Sequence, residues 1–388
     1  MHKKAVKFFY LTANLSIRLP DMKKIVMMIS DSKNGGAQVN ILDDFVGLSA
    51  NGCDITLICP PGWLYEKAIQ VKCGHVVCSK VNLFSFFKLK TILKQTKPDV
   101  LCTYLFGTAL FGGICGKLAG IKKLFFVINN PVMYKGMSSV KKLSFPLLAK
   151  FYNKMCNAFL TKSEYIGVQL AEIIGEKYKN KMLIFKNGID FSKFDISQEG
   201  FDFKTELNLP ENAKTVLSVG RLSPEKGYDV LIKAAKKCIN DDDSLYFLIA
   251  GDGELKSSLQ NLINDNGLKD HVILLGYRSD VSKLLAAADI FVLSSYFEGL
   301  PNSVMEAMAM AKAVVSTNAG GAGELIDNGI NGIIVDTGND EQLYKNILIL
   351  SKNKSMCESL GEKAHQKMLK EYSSQIVLDE LMSYFEKY

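Results

Sequence analysis

Short apolar segments alternate with helical stretches along almost the whole chain. Many of these segments are rich in Val, Ile, Leu and Phe, and several end in polar or glycine-containing turns. Such alternation predicts βαβ units and therefore parallel sheets. The predicted strands span 24–30, 54–60, 75–79, 99–104, 123–129, 158–163 and 182–185 in the first half, and 215–219, 245–250, 272–276, 289–294, 313–317 and 333–335 in the second.

The chain of 388 residues is longer than one hydrophobic core usually supports, so two domains are expected. A polar, irregular stretch at 191–210 separates the two sets of strands and is typical of a linker. The predicted units are an N-terminal extension (1–21), a first domain (22–190), a second domain (191–370) and a terminal helix (371–388).

Positive charge is concentrated in the first half. Residues 1–190 carry 27 Lys and Arg against 11 Asp and Glu, a net of +16, and residues 191–388 carry 20 against 29, a net of −9. This asymmetry predicts an anionic partner. No nucleic-acid-binding motif is present, which favours an anionic membrane surface over nucleic acid. Lysines are interleaved with apolar residues at 83–90 and 141–152, as in helices that lie among lipid headgroups. Ordinary amphipathic helices with solvated lysines remain the alternative.

No segment is long and apolar enough to span a bilayer. The longest uncharged run, 100–116, contains four glycines and is shorter than the ~20 residues required. The nine cysteines are scattered and form no Cys-x-x-Cys motif, so a reducing cytoplasm is the expected compartment. A peripheral protein at the inner face of the cell membrane agrees with both observations.

Two carboxylates mark a candidate site in the second half. Glu298 follows the predicted strand 289–294, and Glu306 lies on the first turns of the helix after it. In open α/β sheets, ligands bind in the crevice at the carboxyl ends of strands, and helix N-termini attract phosphate. The pair suits a ligand with hydroxyls and a diphosphate, such as a nucleotide-sugar. Ser303 to Glu306 also fits a capping box, which would need no ligand.

A second segment favours the ligand over the cap. Gly220 ends the strand 215–219, Arg221 and Lys226 follow, and Ser223 and Pro224 predict the start of a helix. Arg and Lys are the side chains that bind phosphate oxygens in proteins. An isolated basic turn would be read as solvated, but here it accompanies the two carboxylates.

The chain resembles the retaining glycosyltransferases of family 4, also described as glycosyl transferases group 1. The resemblance rests on the segment 220–227 and on the Glu298-x7-Glu306 spacing, with weaker echoes at 34–38, 187–190, 251–253 and 320–324. It implies the GT-B fold, in which two Rossmann-like parallel-sheet domains face each other across a cleft, and a terminal helix that crosses back to the first domain. It also implies a metal-independent hexosyltransferase that needs no cofactor.

The resemblance assigns roles to particular residues. Leaving-group stabilisation falls to Arg221 and Lys226, the sugar hydroxyls to Glu298 and the ribose hydroxyls to Glu306. The expected donor is a UDP-hexose or UDP-N-acetylhexosamine, and the acceptor a glycan hydroxyl, lipid-linked, in O-antigen or capsule synthesis. The complete set of predicted donor-binding residues is Gly35, Gly36, Asn129, Gly220, Gly253, Tyr277, Arg278, Glu298, Gly299, Leu300, Asn302 and Glu306.

One position departs from the family. Many members carry a histidine at the end of the strand 123–129, where this chain has Asn129 and Asn130. Asparagine orients a hydroxyl but cannot act as an acid or a base. The departure keeps open a non-catalytic nucleotide-sugar-binding module. A nucleotide-sugar epimerase is a further alternative on the same fold, but it needs a proton-abstracting base for which the sequence offers no obvious candidate. The four histidines form no cluster with the spacing of metal ligands, so no metal site is predicted.

Overall fold

The computed structural model describes residues 24–130 and 139–388. The predicted extension 1–21 lies outside the described residues. The first sheet has seven parallel strands in the order β3-β2-β1-β4-β5-β6-β7. Its strands are β1 Lys24–Ile29, β2 Asp54–Cys59, β3 His75–Cys78, β4 Val100–Tyr104, β5 Lys123–Ile128, β6 Ala158–Thr161 and β7 Met182–Ile184. Its helices are α1 Gly36–Ala50, α2 Trp63–Gln70, α3 Phe86–Thr96, α4 Phe106–Ala119, α5 Ser139–Met155 and α6 Glu164–Ile174.

The second sheet has six parallel strands in the order β10-β9-β8-β11-β12-β13. Its strands are β8 Lys214–Val219, β9 Leu245–Ala250, β10 Val272–Gly276, β11 Ile290–Leu293, β12 Ala313–Thr317 and β13 Ile333–Val335. The helices after β7 are α7 Phe203–Glu206, α8 Tyr228–Asp241, α9 Lys256–Asp265, α10 Val281–Ala287, α11 Asn302–Ala309, α12 Ala322–Leu325, α13 Asp340–Ser351, α14 Lys354–Glu371 and α15 Ser374–Lys387.

The two-sheet α/β prediction is confirmed, and each predicted strand is present to within two residues. Periodicity succeeds here because most of the strands are buried on both faces; β9, for example, is buried throughout. Ser223 is the N-cap and Pro224 the first residue of a short 3-10 helix, Pro224–Lys226, in agreement with the predicted helix start. The α-helix that follows begins only at Tyr228.

Each sheet reverses its strand order at one place, between β1 and β4 in the first and between β8 and β11 in the second. Ligand crevices in such sheets lie at the carboxyl ends of the strands on either side of the reversal. The loops at 30–35, 220–227 and 294–301 leave the sheets at these two places. They are the segments that the sequence singled out.

The chain passes between the domains at two adjacent places. Ile189 pairs with Ser373, and the Ile189 N–H donates to the Tyr372 carbonyl at 2.7 Å. We keep the domain boundaries after residues 190 and 370 as a proposal, and both lie beside this pairing. Two adjacent segments that both cross from one domain to the other can act as a hinge.

The terminal helix α15 packs into the hydrophobic core of the first domain. Phe385 is fully buried there, with its ring centroid 5.0 Å from that of Phe125. Lys123 Nζ donates to the Phe385 carbonyl at 2.5 Å, which satisfies a carbonyl at the helix C-terminus. Within the described chain, no helix combines the length and apolar character that crossing a membrane requires.

This packing predicts a large effect of Phe385→Ala. Removing a buried phenyl ring costs about 3–5 kcal/mol, so we expect the first transition in urea unfolding, followed by circular dichroism, to move to lower urea. Ile376→Ala, on the same helix but 42% exposed, is the matched control and should leave the midpoint nearly unchanged. Equal midpoints for both variants would contradict the docked position of α15.

Candidate functional site

The loops after β8 and β11 are held together by an ion pair. Lys226 Nζ lies 2.6 Å from Glu298 Oε1, and both side chains are largely buried. Ser295 Oγ donates to the same oxygen at 2.6 Å. Gly227 makes this approach possible, because a Cβ added there would lie 2.2 Å from the Ser294 carbonyl oxygen. Lys226 and Glu298 therefore lie together, as the sequence predicted, and their roles stay predictions.

Arg221 extends from the second domain to the first. A Cβ added to Gly35 would lie 3.2 Å from Arg221 Nη2, so the guanidinium lies beside this glycine. A Cβ added to Gly36 would lie 3.9 Å from Asn302 Nδ2. Gly35 precedes α1 and provides no side-chain cap, so the free N–H groups of the first helical turn face this part of the cleft. The predicted cation and the predicted glycine loop thus come from different domains to one place.

Glu306 occupies a pocket between the domains. The helix α11 has Pro301 as its N-cap, with no side-chain cap, so the capping-box alternative for Glu306 is wrong. Asn40, Asp43 and Lys193 line the same pocket. Burial, and then the negative charge of Asp43, raise the pKa of the Glu306 carboxyl from 4.5 to about 7. No hydrogen bond to another described residue lowers that pKa.

Asn129 lies buried at the end of β5, against the loop that follows Glu298. A Cβ added to Gly299 would be 2.1 Å from the Asn129 carbonyl oxygen, so the two backbones are in contact. Neither side-chain atom of the Asn129 amide has a hydrogen-bond partner among the described residues. A buried amide without a partner is uncommon.

An unpredicted chain of amides joins the two domains beside Glu306. Asn302 Nδ2 donates to Asn40 Oδ1 at 2.6 Å, and Asn187 Nδ2 donates to Asn302 Oδ1 at 2.7 Å. Asn187 Nδ2 also lies 3.3 Å from the Leu300 carbonyl. Asn302 and Leu300 were predicted site residues. Asn187 lies in the 187–190 motif noted above, whereas no sequence signal marked Asn40.

The remaining predicted residues lie around this centre. A Cβ added to Gly220 would be 3.0 Å from Tyr228 Oη, and one added to Gly253 would be 2.4 Å from the Leu222 carbonyl oxygen. These two glycines let neighbouring loops pack closely.

Two neighbouring residues of the predicted donor-binding set, at 277 and 278, differ in their surroundings. Tyr277 is 62% exposed, and its hydroxyl accepts from Asn34 Nδ2 at 3.4 Å. Arg278 is held by Asp280 at 2.6 and 2.8 Å and lies over the Phe201 ring. Among the described residues, Tyr277 contacts the first domain through Asn34. The contacts of the Arg278 guanidinium are with Asp280 and Phe201 of the second domain.

Residues 201–367 match the family model described as glycosyl transferases group 1. The matched range contains all the strands of the second sheet, β8 to β13. The UDP-Gal:alpha-D-GlcNAc-diphosphoundecaprenol alpha-1,3-galactosyltransferase of Escherichia coli is 28% identical over 86% of this chain and 89% of the relative. The lipopolysaccharide core biosynthesis glycosyltransferase LpsE of Rhizobium meliloti is 26% identical over 89% of this chain and 94% of the relative.

Solved structures agree on the fold. Anabaena Alr3699/HepE in complex with UDP-glucose superposes with a TM-score of 0.83 at 20% identity, over 94% of this chain and all of that chain. The lipopolysaccharide outer core galactosyltransferase WaaB, in its apo form, gives 0.71 at 16% identity over 94% of this chain and all of that chain. The predicted GT-B fold is confirmed. The family match and the curated relatives support glycosyltransferase activity.

The described residues contain no group of three or more His, Cys, Asp or Glu side chains that could hold a metal ion.

The raised pKa of Glu306 predicts a pH-dependent effect of Glu306→Gln. Because the folded-state pKa of about 7 exceeds the ordinary 4.5, the folded state binds this proton more tightly, and native stability falls as pH rises through that window. The Gln variant has no ionisable group at this position, so its stability does not fall with pH in this way. We expect it to be more stable than the native protein at pH 8, by up to ~3 kcal/mol, and about equally stable at pH 4.5.

Urea unfolding at the two pH values measures the difference. The exposed Glu362→Gln on α14 is the control and should show no such pH dependence. If Glu306→Gln is no more stable than native at pH 8, the desolvated environment assigned to Glu306 is wrong.

Proposed function

We propose that the protein transfers a hexose or N-acetylhexosamine from a UDP-sugar, with retention of configuration, to a hydroxyl of a lipid-linked glycan acceptor in cell-surface polysaccharide synthesis. The observation that carries this proposal is the convergence of Arg221, the α1 N-terminus, the Lys226–Glu298 pair and Glu306 along one cleft. The E. coli relative named for a UDP-Gal donor and a diphosphoundecaprenol acceptor supports the donor and acceptor classes.

The leaving group is the part of the donor that needs most stabilisation. As the bond between the anomeric carbon and the phosphate oxygen breaks, negative charge grows on the diphosphate. Preorganised cations and N–H groups at that place lower the barrier. Arg221 and the first turn of α1 supply them from opposite domains, and Lys226 supplies a second cation. Closing the cleft excludes water and strengthens each of these interactions.

The carboxylates hold hydroxyls in this proposal. Glu298 Oε1 already accepts from Lys226 and Ser295, which fixes the side chain and directs the other oxygen to a sugar hydroxyl. Glu306 accepts from the ribose. Among the described residues that line its pocket, Lys193 is the one cation, and its Nζ lies 2.8 Å from Asp43 Oδ1. Hydroxyl donors from the ribose would therefore stabilise the ionised form of Glu306.

Retention needs no general base from Asn129. The acceptor hydroxyl attacks the anomeric carbon on the face that the diphosphate is leaving. Its oxygen forms the new bond, and its proton moves to the departing phosphate oxygen. The buried Asn129 amide then acts only by orienting a sugar hydroxyl. Nuclear magnetic resonance of the product's anomeric proton checks this step. A product with inverted anomeric configuration would exclude it.

We predict that Arg221→Ala and Glu306→Ala both have a much lower kcat/KM for the donor while they remain folded. Removing one preorganised donor from a developing oxyanion costs ~100-fold or more in rate, and Glu306→Ala should mainly raise the donor KM. Release of UDP from a UDP-sugar in the presence of acceptor measures both. Lys352→Ala removes an exposed cation from the same domain and serves as the matched control. Full activity in both variants would remove these residues from the mechanism, and tight donor binding without transfer would favour a binding module.

An anionic membrane is the proposed partner of the first domain. The helices α3, α4 and α5 pack side by side in one layer. Residues 86–155, which contain them, carry twelve lysines and a single acidic residue, Asp99. Phe84, in the 3-10 turn before α3, is 97% exposed, and Phe87, in the first turn of α3, is 79% exposed. Exposed aromatic residues beside lysines match the interface of an anionic bilayer. We propose a peripheral position at the inner face of the cell membrane, where a lipid-linked acceptor is found.

Vesicle sedimentation of the full chain tests this partner. We expect binding to vesicles with anionic headgroups that weakens as salt rises. Phe84→Ser with Phe87→Ser should weaken it further, because each buried Phe contributes about 1.5–3 kcal/mol. The control is Ile330→Ser, which removes a 56% exposed apolar residue from the second domain. Equal retention on neutral vesicles would contradict the proposal.

A further inference from the structure

Glu324 forms a contact between the domains that the proposed mechanism does not use. It lies on α12 of the second domain, and its carboxylate caps α6 of the first. Oε2 accepts the N–H of Glu164 at 2.9 Å, and Oε1 accepts the N–H of Tyr165 at 2.8 Å. These are the first two residues of α6, whose N–H groups have no partner within the helix. A carboxylate at this position also interacts favourably with the helix dipole.

The glycine loop before Glu324 packs against the loop that follows Glu298. A Cβ added to Gly320 would lie 3.0 Å from the Tyr165 ring, and one added to Gly321 would lie 1.8 Å from the Gly299 carbonyl oxygen. Gly299 in turn contacts the backbone of Asn129. A continuous series of close contacts therefore runs from the α6 N-terminus, through the Glu324 loop, to the loop that follows Glu298.

We propose that Glu324 is a positioning residue that clasps the cleft in its closed form and seats the 298–300 loop against Asn129. The inference rests on the proposed transfer in this cleft. Opening the domains transfers the N–H groups of α6 and the Glu324 carboxylate to water, so the clasp can be released at modest cost. Such a contact biases the open–closed equilibrium toward closure before the donor arrives, and the donor then binds a site that is already assembled.

The clasp is removed by one change and weakened by an independent second one. Glu324→Ala removes the acceptor, and Glu324→Gln keeps one carbonyl oxygen. Glu164→Pro removes one of the two donors without touching Glu324, because proline is favoured at the first helical position. Ser163 before it has φ −151° and ψ 159°, which a following proline tolerates. Glu164→Ala keeps the N–H and is the matched control for the proline.

Small-angle X-ray scattering without ligand, and with saturating UDP, provides a readout independent of turnover. We expect Glu324→Ala and Glu164→Pro to have larger radii of gyration than the native protein without UDP, and to return to the native value with it. Their donor KM should rise about tenfold while kcat stays near native, because donor binding must then supply the closure. Glu324→Gln should be intermediate, and Glu164→Ala native-like.

The outcomes separate the clasp from the proposed function. Native scattering and native KM in both Glu324→Ala and Glu164→Pro would overturn the clasp, and so would a fall in kcat at unchanged KM and scattering. If the native protein transfers no sugar, the proposed function fails, yet the ligand-free scattering still decides whether Glu324 holds the domains together. Circular dichroism of each variant confirms folding, and Glu164→Pro decides the matter if Glu324→Ala fails to fold.

Discussion

Backbone-to-backbone packing at the carboxyl ends of the two sheets is the constraint on which the site depends. Glycines at 227, 299 and 321 lie so close to neighbouring carbonyl oxygens that an added Cβ would be 2.2, 2.1 and 1.8 Å away. Loops in such contact cannot move independently without breaking the packing. This packing places Lys226 beside Glu298 and the Glu298 loop against Asn129. Through these contacts, the position of one domain constrains the position of the other. Side chains then add charge to an arrangement that the backbone has fixed.

The charges in the cleft are arranged so that they are incompletely satisfied without a ligand. Lys226 and Glu298 neutralise each other, but the exposed Arg221 faces a glycine loop. Glu306 lies in a pocket near Asp43, and both burial and that neighbour disfavour its charge. A diphosphate would meet Arg221, and ribose hydroxyls would donate to Glu306. A nucleotide-sugar therefore complements groups that the protein leaves without equal partners.

Local sequence signals predicted a large part of this arrangement. Strand periodicity located all thirteen described strands, and the 220–227 segment and the Glu298–Glu306 spacing located the centre of the site. Contacts between distant residues left no local signal, so the Asn40–Asn302–Asn187 amides and the cap of α6 by Glu324 could not be predicted. The buried Lys162, 3.7 Å from Asp44, is another such contact. The capping box failed because the N-cap of the helix is Pro301, two residues before the Ser303 that the motif requires.

The central claim is that the cleft recognises a nucleoside diphosphate through its diphosphate. Thermal unfolding of the native protein with UDP, UMP and uridine at equal millimolar concentrations tests it most directly. A ligand that binds only the folded state raises the melting temperature, and at equal concentration the shift grows with the logarithm of the affinity. The account predicts a shift of several degrees with UDP, a smaller one with UMP and almost none with uridine. No protection by UDP, or equal protection by uridine, would contradict it.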